Sequence, residues 1–449
     1  MGRRHAVATV MGGALIATAL GGFGAPSPAA EVAAGQSIGV RAQAPEVTRS
    51  PGTVAKVVSK NKALRRVVFV GNNWAGTADV LSTRRLRRLG TINVIPDYQE
   101  RMQEIALNPY RLAYFLAIRE LIGEGNDQFV DDMYSSNDGK LVVISRPSFA
   151  DVVAISLETK KIVWRFQVAG VRSDHMALSP DGKTVVVSAS TGNVVHALRM
   201  SDGKEVGRFA SGGSPHENVF VDDGSRLIHA SIGMVYTPLD DPALDDTKDD
   251  RVLQVVNTKT WKIERRYDLR KALDERGLTK VSTAVRPMTL SPDEKQLYFQ
   301  LSFFHGYVRL DRDSGKITQV RRLPNLVPNI PREQYLLDSA QHGIAMDPAG
   351  RKICVAGTMS DYVTVVDARS GRNAGLVRGG LKPYWVTPSF NGKHCLISWA
   401  GSDLVSKVSY KTGRITRNAT VGDHPQRIRN GFVRKAFVPG LGISVPDIL

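Results

Sequence analysis

The stretch Asp174–Gly213, DHMALSPDGKTVVVSASTGNVVHALRMSDGKEVGRFASGG, decides the fold. It holds a short apolar segment, a Pro-Asp-Gly turn, a β-branched run, a polar loop, a second β-branched run, an SDGK turn and a last strand-like segment. Asp-Gly pairs supply the positive φ that tight hairpins demand. The unit therefore reads as four short antiparallel strands joined by three reversals.

The same unit recurs. Gln341–Gly380 reads QHGIAMDPAGRKICVAGTMSDYVTVVDARSGRNAGLVRGG, and Lys382–Gly422 reads KPYWVTPSFNGKHCLISWAGSDLVSKVSYKTGRITRNATVG. Looser copies begin near Asp131, His216 and Arg286. Six copies are thus whole, and a seventh is split. RRVVFVGNNWAGTADVLSTRRLRRLGTINVI, from Arg65, offers three strands without an innermost one, while HPQRIRNGFVRKAF, from His424, offers an innermost strand with no continuation. Joining the two ends closes a ring and leaves no open sheet edge. The predicted fold is all-β: a seven-bladed β-propeller over residues 64–437, with a helical insertion capping one face. VFVGNNWAGTADVLST, VVVSASTGNVVHALRMSDGK and ICVAGTMSDYVTVVDARSGR resemble the repeat of the YVTN family of bacterial, secreted propellers. That resemblance implies the fold but no activity, since such propellers include binding proteins, lyases, hydrolases and oxidoreductases.

Long insertions fall at 97–125, 234–251, 270–281 and 323–340, in loops that either lead into an innermost strand or join strands two and three. Both loop classes open on one face of a propeller, so growth is restricted to that face. Residues 97–125 read as a helical pair interrupted at Pro109, whose second half carries an expected buried stripe of Leu112, Phe115, Leu116, Ile118 and Leu121.

Aligning the repeats on their turns puts Asp131, Asp174, His216, Arg286, His342, Tyr384 and Gln426 in one equivalent position. The next position holds Asp132, His175, Glu217, Pro287, Gly343, Trp385 and Arg427. These positions lead into the innermost strands, so their side chains are expected around the mouth of the central channel. Two readings follow. In the first, the mouth binds a small anionic ligand, a glycan or a protein segment, with Arg286, Tyr384, Trp385, Gln426, Arg427, Asp131 and Asp174 as ligand-binding residues. In the second, it is the centre of a lyase, isomerase or lactone-type hydrolase. His216, His342, His175 and Glu217 then do the chemistry, with a divalent metal held by His216, His342 and a carboxylate as an optional cofactor. A purely structural partner of a cell-surface assembly is a third reading. The six aspartates between Asp240 and Asp250 lack the glycine and spacing of a calcium loop and read as a solvated segment.

The chain has 449 residues, is 42% hydrophobic and carries a formal net charge of +17. A diffuse excess of this kind suits a cell-envelope polymer or other anionic partner, whereas no basic helix or zinc-ligand spacing points to nucleic acid. Arg3, Arg4 and His5 precede a small-residue apolar run, so residues 1–33 read as an export signal and 34–63 as a flexible segment. The expected setting is secreted, extracellular or envelope-associated, with no stable membrane span once the signal is removed. Residues 438–449 form a tail. The two cysteines, Cys354 and Cys395, occupy equivalent strands of consecutive repeats. Such strands are expected to lie too far apart for a bridge, so the pair reads as two buried thiols.

Overall fold

The computed structural model describes residues 61–234, 244, 247–335, 339–443 and 446. The expected export signal, almost all of the segment to residue 63, and four of the six loop aspartates lie outside them. Among the described residues, no helix is long and apolar enough to cross a membrane.

The repeats fold into seven four-stranded antiparallel sheets arranged as a propeller. Blade 1 is the split one: Pro425–Arg434 pairs antiparallel with Leu64–Asn72, which is followed by Thr77–Ser82 and Arg88–Asn93. Its closing seam runs from Leu64 opposite Arg434 to Asn72 opposite Pro425. The ring is therefore locked by the two ends of the repeat array, as the split copy predicts. Blades 2 to 7 begin with the innermost strands Met133–Ser135, Ser173–Leu178, Pro215–Val221, Val285–Leu290, Ile344–Met346 and Pro383–Pro388.

Alternation along each strand sends one set of side chains to each neighbouring blade. Between blades 2 and 3, for example, Val143, Val152 and Trp164 meet Met176, Val185 and Val187. Each fully buried aliphatic side chain in such a layer contributes about 1.5–3 kcal/mol. Glycines take many of the left-handed turn positions, Gly182 and Gly203 in blade 3 among them, with φ of 71° and 70°.

The insertion after blade 1 forms helix α1, Tyr98–Ala106, and helix α2, Pro109–Leu121. Asn108 caps α2 by accepting from the Arg111 amide at 3.1 Å, so the break falls where Pro109 demands it. Tyr114, Phe115 and Ile118 are the buried residues of α2, with Leu112 half-buried. Leu116 and Leu121, expected in that stripe, are exposed. The helix meets the propeller along a narrower line than its apolar residues would allow. After blade 4, Leu269–Asp274 forms a short helix, α3.

The cysteines correct a second expectation: Cys354 and Cys395 form a disulfide, with Cα atoms 6.4 Å apart. They lie on the second strands of blades 6 and 7, Lys352–Gly357 and His394–Trp399. Blades diverge with distance from the axis. At the second strand they are still within bridging range, which extends to about 6.8 Å.

Candidate functional site: the channel mouth

The mouth is built by a local irregularity repeated from blade to blade. In blade 3, Ser173 pairs with Ala189 and Met176 with Val187, so Asp174 and His175 together face one residue of the second strand. Blade 4 does the same with His216 and Glu217, between the pairs Pro215–Ser231 and Asn218–His229. Blade 5 does so with Arg286 and Pro287, between Val285–Leu301 and Met288–Phe299. In blade 7, Tyr384 is the extra residue between Pro383–Trp399 and Trp385–Ser398. A bulge of this kind breaks the two-residue alternation and re-aims side chains. Two neighbouring residues per blade can thus turn to the channel instead of one.

Polar side chains on the second strands hold the bulges from the blade before. The hydroxyls of Ser145, Ser188 and Ser398 donate to the carbonyls of Asp174, His216 and Gln426 at 2.8, 2.9 and 2.5 Å. Gln300 accepts from the Gly343 amide at 2.7 Å. These residues fix the ring without entering it. Their signal in the sequence is a lone polar residue inside a β-branched run, as in VVVSAS and LISWA.

A cavity occupies the mouth, about 470 Å³ together with the solvent-open space at its entrance. All seven residues of the first aligned position line it: Asp131, Asp174, His216, Arg286, His342, Tyr384 and Gln426. Of the second set, His175 lines it too. The rest of that set lies around or beneath. Glu217 meets His175, its Oε2 2.6 Å from His175 Nδ1. Arg427 lies over the Trp385 ring at 3.8 Å and reaches Asp131 Oδ1 at 3.3 Å. Asp132 is engaged in a two-pronged pair with Arg429, at 2.8 and 2.7 Å. Arg427, Trp385 and Arg429 thus form one stacked cluster that meets the cavity wall through Asp131. Pro287 and Gly343 contribute backbone only.

Residues the repeat alignment does not point to complete the wall. Arg172, one residue before the innermost strand of blade 3, lines the cavity and donates to Gln128. Asn73, Pro147 and Ile232 join them, as does Ile122 from the C-terminal end of α2. The helical insertion therefore reaches the mouth with one apolar side chain and does not fill it. A second hollow, lined by Ser282, Phe303, His305 and Arg332, shares the rim through Ser302, whose hydroxyl accepts from Arg286 at 2.8 Å.

Burial sets the electrostatics. It pushes the Asp131 carboxyl up to about 7, against the opposing pull of Arg427. Glu217 is raised by burial to about 8, and Asp174 is raised by burial as well. Burial, with Arg427 or Arg286 as the next cause, holds His175, His216 and His342 well below the ordinary histidine value, so all three imidazoles are neutral. Their rings cluster: His175 and His216 have centroids 3.8 Å apart, and each lies 5.8 Å from His342. His342 also stacks on Tyr384 at 4.2 Å. One nitrogen from each of the three imidazoles lies within 4.8 Å of the others, and Asp131, Asp174 and His175 form a second such group. The sequence pairing of His216 and His342 with a carboxylate thus becomes a trio of histidines that includes His175.

No model of a known protein family matches the chain, and no curated protein matches it. Solved structures do: 1539 chains match, so the architecture is common and by itself names no activity. One of them is a chain of Kuenenia stuttgartiensis hydrazine synthase, similar with a TM-score of 0.55 at 16% identity over 77% of this chain and 93% of that one. What the two share is the propeller fold.

Proposed function

We propose that this propeller binds a small molecule carrying a carboxylate or phosphate group at the mouth of its central channel. The observation that carries the proposal is the convergence of Arg172 and Arg286 on one cavity whose wall also holds Asp131, Asp174, Tyr384 and Gln426. Guanidinium groups meet carboxylate and phosphate with paired hydrogen bonds, and the acids, tyrosine and glutamine suit hydroxyl or amino groups on the same molecule. The narrow interior favours a small ligand over a glycan or a protein segment. A larger one could extend into the hollow beside Ser302. The fold supports a binding role in general, and kinship with the YVTN-repeat propellers belongs to the same proposal. So does a setting outside the cytoplasm, which the Cys354–Cys395 disulfide supports, because such bonds persist in oxidising compartments.

A second reading, a lyase, isomerase or lactone-type hydrolase, is favoured by Asp131. One of its carboxyl oxygens is buried with no hydrogen-bond partner, and it shares the cavity wall with His175 and His216. A carboxyl group beside neutral imidazoles is the equipment of proton transfer.

Calorimetric titration of the purified chain with inorganic phosphate and with malate tests the main proposal. Binding of at least one is expected, weakened about 10-fold or more in Arg286→Met, equivalent to about 1.4 kcal/mol. Absence of binding to either, or identical affinity in R286M, overturns it.

A further inference from the structure

The three mouth histidines come from blades 3, 4 and 6 and meet from different sides of the channel. His175, His216 and His342 are 2%, 3% and 1% exposed, so water does not serve their ring nitrogens freely. A buried ring nitrogen left without a partner has lost its water and gained nothing in return. Yet His216 Nε2 and His342 Nδ1 have no hydrogen-bond partner. His175 spends its Nδ1 on Glu217, leaving Nε2 near nothing better than Asp174 Oδ1, at 3.6 Å.

The opposite sides of two rings are anchored. Glu217 sits 2.6 Å from His175 Nδ1, and Asp174 Oδ2 sits 3.2 Å from His216 Nδ1. A carboxylate on one ring nitrogen is the arrangement that orients an imidazole and makes its other nitrogen a better donor to a metal. One ion placed among the three rings could take one nitrogen from each.

We propose that His175, His216 and His342 bind one divalent first-row transition cation of the zinc class, with Asp174 and Glu217 as positioning residues. Nitrogen ligands favour such a cation over magnesium or calcium, which take oxygen. Zinc–nitrogen bonds of about 2.0–2.1 Å need tetrahedral nitrogens about 3.3 Å apart. One nitrogen of each ring now lies within 4.8 Å of the others, so binding draws them together. Three protein ligands leave a fourth position facing the cavity. There the bound anion of the proposed function would sit, and only this last statement rests on that reading.

The test strips the full chain with a chelator and titrates it with Co²⁺, read by visible absorption, and with Zn²⁺, read by calorimetry. One equivalent of either is expected, with affinity lowered about 100-fold in His216→Ala and in His342→Ala, and about 10–100-fold in Glu217→Gln. A wild-type chain that takes up neither ion overturns the proposal without any variant. So does a folded H216A/H342A double variant, checked by circular dichroism, that binds as the wild type does. Arg286→Met separates the two proposals. Retained Co²⁺ binding with lost phosphate binding supports both. Wild-type phosphate binding without metal binding overturns only the metal centre, and metal binding without phosphate or malate binding overturns only the anion site.

Discussion

His196 and His229 are buried as deeply as His216 and His342, at 4% and 0% exposure against 3% and 1%, yet the two pairs live differently. His196 meets Glu205 at 2.8 Å through Nδ1 and accepts from the Ala169 amide at 3.0 Å through Nε2. His229 meets Asn218 at 2.8 Å and Ser211 at 2.7 Å. Both rings have a partner at each nitrogen, one in their own blade and one in the connection from the blade before. The channel rings are not: each keeps a nitrogen without a partner. Burial alone therefore does not separate the two pairs. The count of satisfied ring nitrogens does.

This contrast can be broken first by stability. His229→Ala removes a fully satisfied ring and strands Asn218 and Ser211, and is expected to cost about 3 kcal/mol. His342→Gln, which removes no made bond at Nδ1, is expected to cost less than about 1 kcal/mol in metal-free protein. Chemical denaturation of both variants checks the difference. Equal losses would mean that the channel rings are core residues like the others.

Acid sharpens the same contrast. Burial, with the nearby His216 as a lesser cause, lowers His229 to about 3. Burial, aided by Lys382, brings His424, stacked on Trp74, also to about 3. The unfolded chain takes up these protons below about 6.5 while the folded one refuses them. Their contribution is therefore complete above about pH 6.5 and is lost as pH falls toward 3, at about 1 kcal/mol per pH unit for each group. Melting temperature followed from pH 7 to pH 4 should fall more gently in His424→Gln than in the wild type.

The smallest effect concerns the ties between blades. Ser188→Ala removes the hydroxyl that donates to the His216 carbonyl and accepts from Asn218 at 2.8 Å. A loss of about 1 kcal/mol is expected, with weaker Co²⁺ affinity because His216 is less well held. An unchanged metal affinity would show that the bulge holds itself.

Much of this molecule could be read before folding, because its turns are chemical signals. The Asp-Gly and Ser-Gly pairs mark reversals, and counting from them placed seven side chains, from Asp131 to Gln426, on one cavity wall. The second aligned position was harder to read. Whether His175 faces the channel or the sheet depends on a two-for-one bulge, which β-branched patterning does not encode. Arg172 escaped because it precedes the strand and lies outside the repeat's register. The disulfide escaped because the distance between neighbouring blades depends on radius, and sequence carries no radius. Leu116 and Leu121 misled because apolar spacing marks a face without saying how much of it a neighbour covers.

The closing strand of blade 1 has one more consequence. Gln426 reaches the mouth on Pro425–Arg434, the strand that follows all the others of the ring in the chain. Until that strand slots beside Leu64–Asn72, blades 2 to 7 can stack but the part of the cavity wall that Gln426 supplies does not exist. A chain interrupted before Pro425 would bury most of its apolar surface and still offer no finished pocket. Closure of the ring and completion of the pocket are in this way a single event, set by the order of strands along the chain.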